Sequence, residues 1–134
     1  MNITDDFAHY LETITGTKLG QTLYIGEAPS SNKAPDEIYW VTGNGGGIAT
    51  DNITGEKTKL YSFNVFFRSR NYKKVYDNMQ YLEEQLNCET CIDLTNYKVI
   101  EIKAVTLSID SDLEAEDRKV GVLQVEILTY KGDC

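Results

Sequence analysis

Within thirty residues, from 58 to 87, the hydrophobic rhythm changes once and decisively. In TKLYSFNVFFR (58–68) the apolar Tyr61, Phe63, Val65 and Phe67 alternate with Ser62, Asn64 and Phe66, the period of two that belongs to a half-buried strand. In RNYKKVYDNMQYLEEQLN (70–87) Tyr72, Val75, Tyr76, Met79, Leu82 and Leu86 fall at helical spacing. Lys73, Lys74, Asp77, Asn78, Glu83, Glu84 and Gln85 take the remaining faces. Ser69 and Asn71 are both placed to cap the start of this helix. A strand that runs straight into an amphipathic helix constrains the fold strongly. The helix must lay its stripe on a sheet, and that sheet must contain the strand.

The flanking segments fill in the rest. Ile3, Phe7, Leu11 and Ile14 form one helical stripe near the N-terminus, with Thr4 as cap, Asp5 and Asp6 in the first turn, and Gly16 as the stop. QTLYIGEAP (21–29) reads as a short strand and EIYWVTG (37–43) as a second, rich in β-branched and aromatic residues. YKVIEIKAVTLSID (97–110) carries Ile100, Ile102 and Ala104 in one phase and Val105, Leu107 and Ile109 in the other, so it predicts a strand with a bulge or two-sided burial. KVGVLQVEILTYK (119–131) is the last strand. The expected order is α-β-β-β-α-β-β, an α+β fold with a mostly antiparallel sheet and two helices packed on one face. With 134 residues the chain is expected to form a single domain, 1–134, carrying a long flexible loop at about 43–57.

That loop contains TGNGGGIATDN (42–52), which resembles a phosphate cradle at first sight. A dinucleotide fingerprint, however, needs a third glycine where Ile48 stands, and a helix to receive the pyrophosphate. A Walker loop needs a Gly-Lys pair that this stretch lacks. The better reading is an excursion between paired strands, where glycine lets the backbone bend or approach another surface. Long loops in small domains are more often binding elements than idle ones.

Other chemistry finds little support. His9 is the sole imidazole, and an exposed contact with Asp5 four residues earlier accounts for it. Cys88 and Cys91 form a C-x-x-C with too few further ligands for zinc, and they follow a helix rather than open one. With Cys134 they read as reduced thiols. Asp110, Asp112, Glu114, Glu116 and Asp117 cluster, but Ala115 and Gly121 stand where a calcium loop needs Gly and Glu. No metal, cofactor or catalytic residue is expected. No apolar run reaches membrane-spanning length, and the N-terminus lacks the pattern of a secretory leader, so Asn52-Ile53-Thr54 carries no glycosylation expectation. A net charge of −8 argues against tight wrapping of DNA. Nine tyrosines favour an interaction surface, since the ring buries area while its hydroxyl stays satisfied.

Taken in order, the chain has a short N-terminal helix, LGQTLYIGEAP, and a strand running into GNGGG. VFFRSRNYKKVYDNMQYLEEQL follows, then an acidic turn ending in DRK, and finally VLQVEILTY. This resembles the tail terminator, or tail-completion, proteins of long-tailed bacteriophages, also called minor capsid proteins. Asn71-Tyr72 stands where relatives often have Asp-Tyr. The resemblance implies a non-enzymatic virion component, assembled in the host cytoplasm. It forms a homo-oligomeric, hexameric ring on the head-proximal end of the tail tube. The ring stops tube polymerisation, meets the head connector and lets DNA pass without specific binding. By analogy, Gly43, Asn44, Gly45, Gly46, Gly47, Asp51 and Lys57 face the tube protein or a neighbouring subunit. Arg68, Arg70 and Arg118 are candidates for intersubunit ion pairs with the Asp110–Asp117 loop, notably Asp112 and Glu114. Another neck or connector protein is the near alternative. A small α+β ligand-binding or enzymatic domain, with a pocket between the sheet and the second helix, is the alternative of a different class.

Overall fold

The computed structural model describes residues 3–26, 37–43, 48–51, 57–87, 94, 98–111 and 118–130. Eight elements follow in chain order: α1 Ile3–Thr15, β1 Leu23–Ile25, β2 Ile38–Gly43, β3 Ile48–Asp51, β4 Lys57–Ser69, α2 Tyr72–Leu86, β5 Lys98–Ser111 and β6 Lys119–Tyr130. They build one sheet in the order β1-β2-β4-β6-β5, with β3 also paired to β4. Every pairing is antiparallel except β1 with β2. The expected α+β architecture and the placement of both helices on one face hold.

The alternation in β4 does what its period demands. Phe63, Val65 and Phe67 are buried beneath the helices, beside Val125, Leu123 and Gly121 of β6 and Gly43, Val41 and Tyr39 of β2. α1 covers one end of this face: Phe7 lies with its ring centroid 4.9 Å from that of Phe63. α2 covers the other end with Val75, Met79, Leu82 and Leu86, all essentially inaccessible. The closest approach is at Gly121, where an added Cβ would sit 2.7 Å from Met79 Cγ and 2.8 Å from Val75 Cγ1. Only glycine lets the helix settle this low on the sheet.

The caps are partly as expected. Asn71 caps α2, its side chain accepting from the Lys74 N–H, while Ser69 Oγ accepts from the Asn71 N–H at 3.1 Å. Gly16, at φ 72°, ends α1 in the left-handed conformation that a C-terminal stop requires. Thr4, the expected cap of α1, lies inside the helix instead, 2.9 Å from where a Cβ on Gly43 would stand.

Three further expectations change. The connection 43–57 is not loop throughout, because Ile48–Asp51 pairs with Leu60–Lys57 of β4. β2 and β3 therefore run along the same side of β4. Tyr72 and Tyr76 do not join the buried stripe of α2. They are 56% and 46% exposed, Tyr76 lying about 100° round the helix from Val75. His9 Nδ1 meets Glu12 Oε1 at 3.0 Å rather than Asp5. The phase switch in β5, by contrast, is a bulge: the register slips between Thr106 and Ser108, and again between Val99 and Glu101.

Candidate functional site

The face of the sheet away from the helices carries no helix among the described residues. Both helices pack on the Phe63–Gly121 side. The pairing register brings Tyr24, Trp40, Phe66, Val122 and Ser108 into one row across five strands of this open face. Trp40 and Phe66 stack face to face, with centroids 4.9 Å apart and planes 7° from parallel. The next row holds Thr42, Asn64, Gln124 and Val105, the last of these 55% exposed. Leu107, the unpaired extra residue of the second β5 bulge, is 56% exposed. A shallow depression of about 340 Å³ follows, walled by Leu60, Leu128, Glu101, Lys103 and Glu126. An aromatic row with scattered apolar neighbours, under no helix among the described residues, is a surface on which a third layer can be built.

The long edge strand β5 is, by contrast, closed. Asn87, just past the end of α2, donates from Nδ2 to the Ala104 carbonyl and accepts the Ala104 N–H on Oδ1, both at 2.9 Å. Glu83 Oε2 accepts from the Thr106 N–H at 3.1 Å and from its hydroxyl at 2.8 Å. One side chain of α2 and one just past its end thus occupy backbone positions that another strand would need, a protection against edge pairing.

A cleft of about 520 Å³ opens between the C-terminal end of α1, the sheet and the flank of α2. Tyr39 and Phe67 form its floor, and Thr15, Glu37, Lys74, Asn78 and Tyr81 its walls. Its polar groups largely bind one another. Lys74 Nζ pairs with Glu37 Oε1, Ser69 Oγ donates to Glu37 Oε2 at 2.8 Å, and Tyr81 donates its hydroxyl to the Ile14 carbonyl at 3.3 Å. Burial raises the Tyr39 phenol well above the usual tyrosine range, with the Glu37 carboxylate adding to the effect.

The expected site residues divide sharply. Arg68 and Arg118 are 2% and 1% exposed, each engaged within the chain. The intersubunit ion pairs expected of them are corrected to internal roles, as a buried guanidinium must be paired where it lies. Arg70 is exposed beside the start of α2. Gly43 closes β2 under Thr4 of α1, and Asp51 and Lys57 face each other in register where β3 meets β4. Asn44, Gly45, Gly46, Gly47, Asp112 and Glu114 lie outside the described residues, as do Cys88, Cys91 and Cys134. Sequence reasoning missed the edge caps, the open apolar rows and the role of Gly121. For Gly121 a signal was present, since an isolated glycine inside a strand marks a close approach.

No protein-family model matches the chain, and no curated protein does. Among solved structures, a chain of the virion of native gene transfer agent (GTA) particle shares the fold. It superposes with a TM-score of 0.54 at 11% identity, over 90% of this chain and 84% of that one.

Proposed function

We propose that this chain is a structural protein of a phage-like virion, and within it a tail terminator. In this reading it forms a ring on the head-proximal end of the tail tube, stops tube growth and joins the tail to the head connector. The observation that carries the reading is the open apolar sheet face opposite a helix layer with exposed tyrosines, on a fold shared with a chain of a virion particle. Such a chain has two different surfaces to offer, which is what a head-to-tail ring consumes. The net charge of −8 suits a lumen through which DNA slides, because like charges repel its backbone.

Light scattering across a concentration series, with negative-stain microscopy of the same samples, tests this reading. Closed rings with a hole of DNA-passing width are expected. A chain that stays monomeric at every concentration and forms no ring on added tail tubes would overturn it and favour a second reading, a ligand-binding domain using the cleft over Tyr39. That reading stays second because Lys74, Glu37 and Ser69 already satisfy one another there.

A further inference from the structure

Resting on the ring reading, we infer which surfaces of two copies meet: the N-terminal half of α2 in one copy seats on the open sheet face of the next. The first surface is aromatic and cationic. Tyr72 and Tyr76 stand one turn apart with about half of each ring in water, and Gln80 Nε2 steadies the Tyr76 hydroxyl at 3.1 Å. Exposed Arg70 and Lys73 flank them. In a chain with 13 basic residues against 21 acidic, this end of α2, with Arg70, Lys73 and Lys74 against Asp77 and the Lys74-paired Glu37, is a local excess of positive charge.

The second surface is apolar and acidic. The Trp40–Phe66 stack and Val122 form an apolar row with Val105 beside it, and exposed Asp110 and Glu101 with half-buried Glu126 supply carboxylates around them. Among the described residues of those rows Lys103, which pairs with Glu101 at 3.4 Å, is the one exposed cation, since Arg68 in the row of Asp110 is buried. The charges are complementary, which orients an encounter more than it tightens it. The tyrosines and the Trp–Phe stack supply the area.

Two features make the contact head-to-tail. The surfaces lie on opposite sides of the sheet, so they cannot meet within one copy. Neither is complementary to itself, since cations with tyrosines would face cations with tyrosines across a two-fold axis. Edge-to-edge extension of the sheet through β5 is obstructed, because Asn87 and Glu83 already hold Ala104 and Thr106. Among the described residues the Trp40–Phe66 side of the sheet offers a neighbour more surface than that edge does.

The test uses two variants of the full chain, Tyr72→Ala/Tyr76→Ala for the helix surface and Val105→Lys for the sheet surface. All three side chains are exposed, so thermal melts close to wild type are expected. Sedimentation velocity should show wild-type chain assembling, each variant alone monomeric at the same concentration, and an equimolar mixture forming a 1:1 dimer and nothing larger. The mixture holds one intact surface of each kind, which makes one contact and no ring. Wild type that assembles while both variants assemble unchanged would overturn the surface assignment and leave the ring reading standing. Variants that are monomeric alone and also when mixed would show a symmetric contact, overturning the head-to-tail pairing. A wild-type chain that never leaves the monomer, alone or with added tail tubes, would remove both readings together.

Discussion

Phe66 and Phe67 are neighbours in the chain and belong to different environments. Phe67 points under the helices, 2% exposed, with its ring 4.5 Å from that of Tyr39. Phe66 points to the open face and stacks on Trp40, only partly buried. The same contrast runs through the middle of the sheet, while Ile38 and Arg68, in the same phase as Trp40 and Phe66, are buried. On the covered face, packing tolerates no added atom, as Gly121 beneath Met79 shows. On the open face, aromatic surface of comparable size is held in place without being used up. A stacked aromatic pair on a sheet face that carries no helix among the described residues keeps part of its area for a neighbour.

The contrast is most sharply broken at the two phenylalanine types. Phe63→Ala, on the covered face between Phe7 and Val125, should cost about 3–5 kcal/mol, lost packing plus the cavity left behind. Phe66→Ala should cost a fraction of that in the monomer, while weakening self-association. Urea melts on monomeric samples measure the first quantity and sedimentation the second. Equal losses of stability at the two sites would mean that the open face is covered after all.

Gly121→Val comes next. Its side chain would enter space already filled by Val75 Cγ1 and Met79 Cγ, and overpacking of this kind costs about 1–3 kcal/mol. Because the clash is with two named atoms, Val75→Ala in the same chain should return part of the loss. A double variant no more stable than Gly121→Val alone would point to the β6 backbone rather than to the helix seat.

Asn87→Ala probes the guarded edge. It strips partners from both the N–H and the carbonyl of Ala104, and removal of one partner from a half-buried pair costs about 1–3 kcal/mol. The more telling readout is kinetic: with the edge freed, aggregation on storage should rise while Glu83→Gln, which keeps an acceptor for Thr106, should change it little. If Asn87→Ala melts like wild type and stays soluble, the edge is protected by other means.

What the sequence made legible follows from range. Periods of 2 and 3.6 are local, so β4, α2 and the β5 phase switch could be read directly, and with them the α+β class. The inward stripe of α2 was overdrawn by Tyr72 and Tyr76, because periodicity gives a face but not its width. β3 was missed because four residues, Ile48–Asp51, are too few for a period and become a strand only by pairing with Leu60–Lys57. Arg68 and Arg118 were read as surface charges because nothing local announces a buried arginine. The closure of the β5 edge depends on Asn87 meeting Ala104, 17 positions away, and no spacing rule reaches that. The open face was half visible. EIYWVTG showed an aromatic strand, but which neighbour its tryptophan stacks on is a matter of register.

The smallest expected effect lies at the end of α1, on the covered side. Glu12 Oε2 accepts the Leu19 N–H at 2.7 Å and so ties the chain beyond Gly16 back to the helix, with the His9 ring at its other oxygen. These contacts, the Leu19 bond first and His9 second, hold the Glu12 carboxyl below the ordinary glutamate range. A carboxyl depressed by folding binds its proton more weakly in the folded chain than in the unfolded one. Its contribution is therefore complete above the unfolded value of about 4.3 and fades as pH falls through the lower folded value. Glu12→Ala should then lower the melting temperature modestly at pH 7, by an amount that shrinks steadily below pH 4 until the two chains melt together. The side chain is solvent-exposed at its tip, so added salt should shrink the His9 share and spare the Leu19 hydrogen bond. A difference between the two chains that does not change with pH would assign the loss to helix packing rather than to the carboxylate, and would leave the covered face defined by its apolar side chains alone.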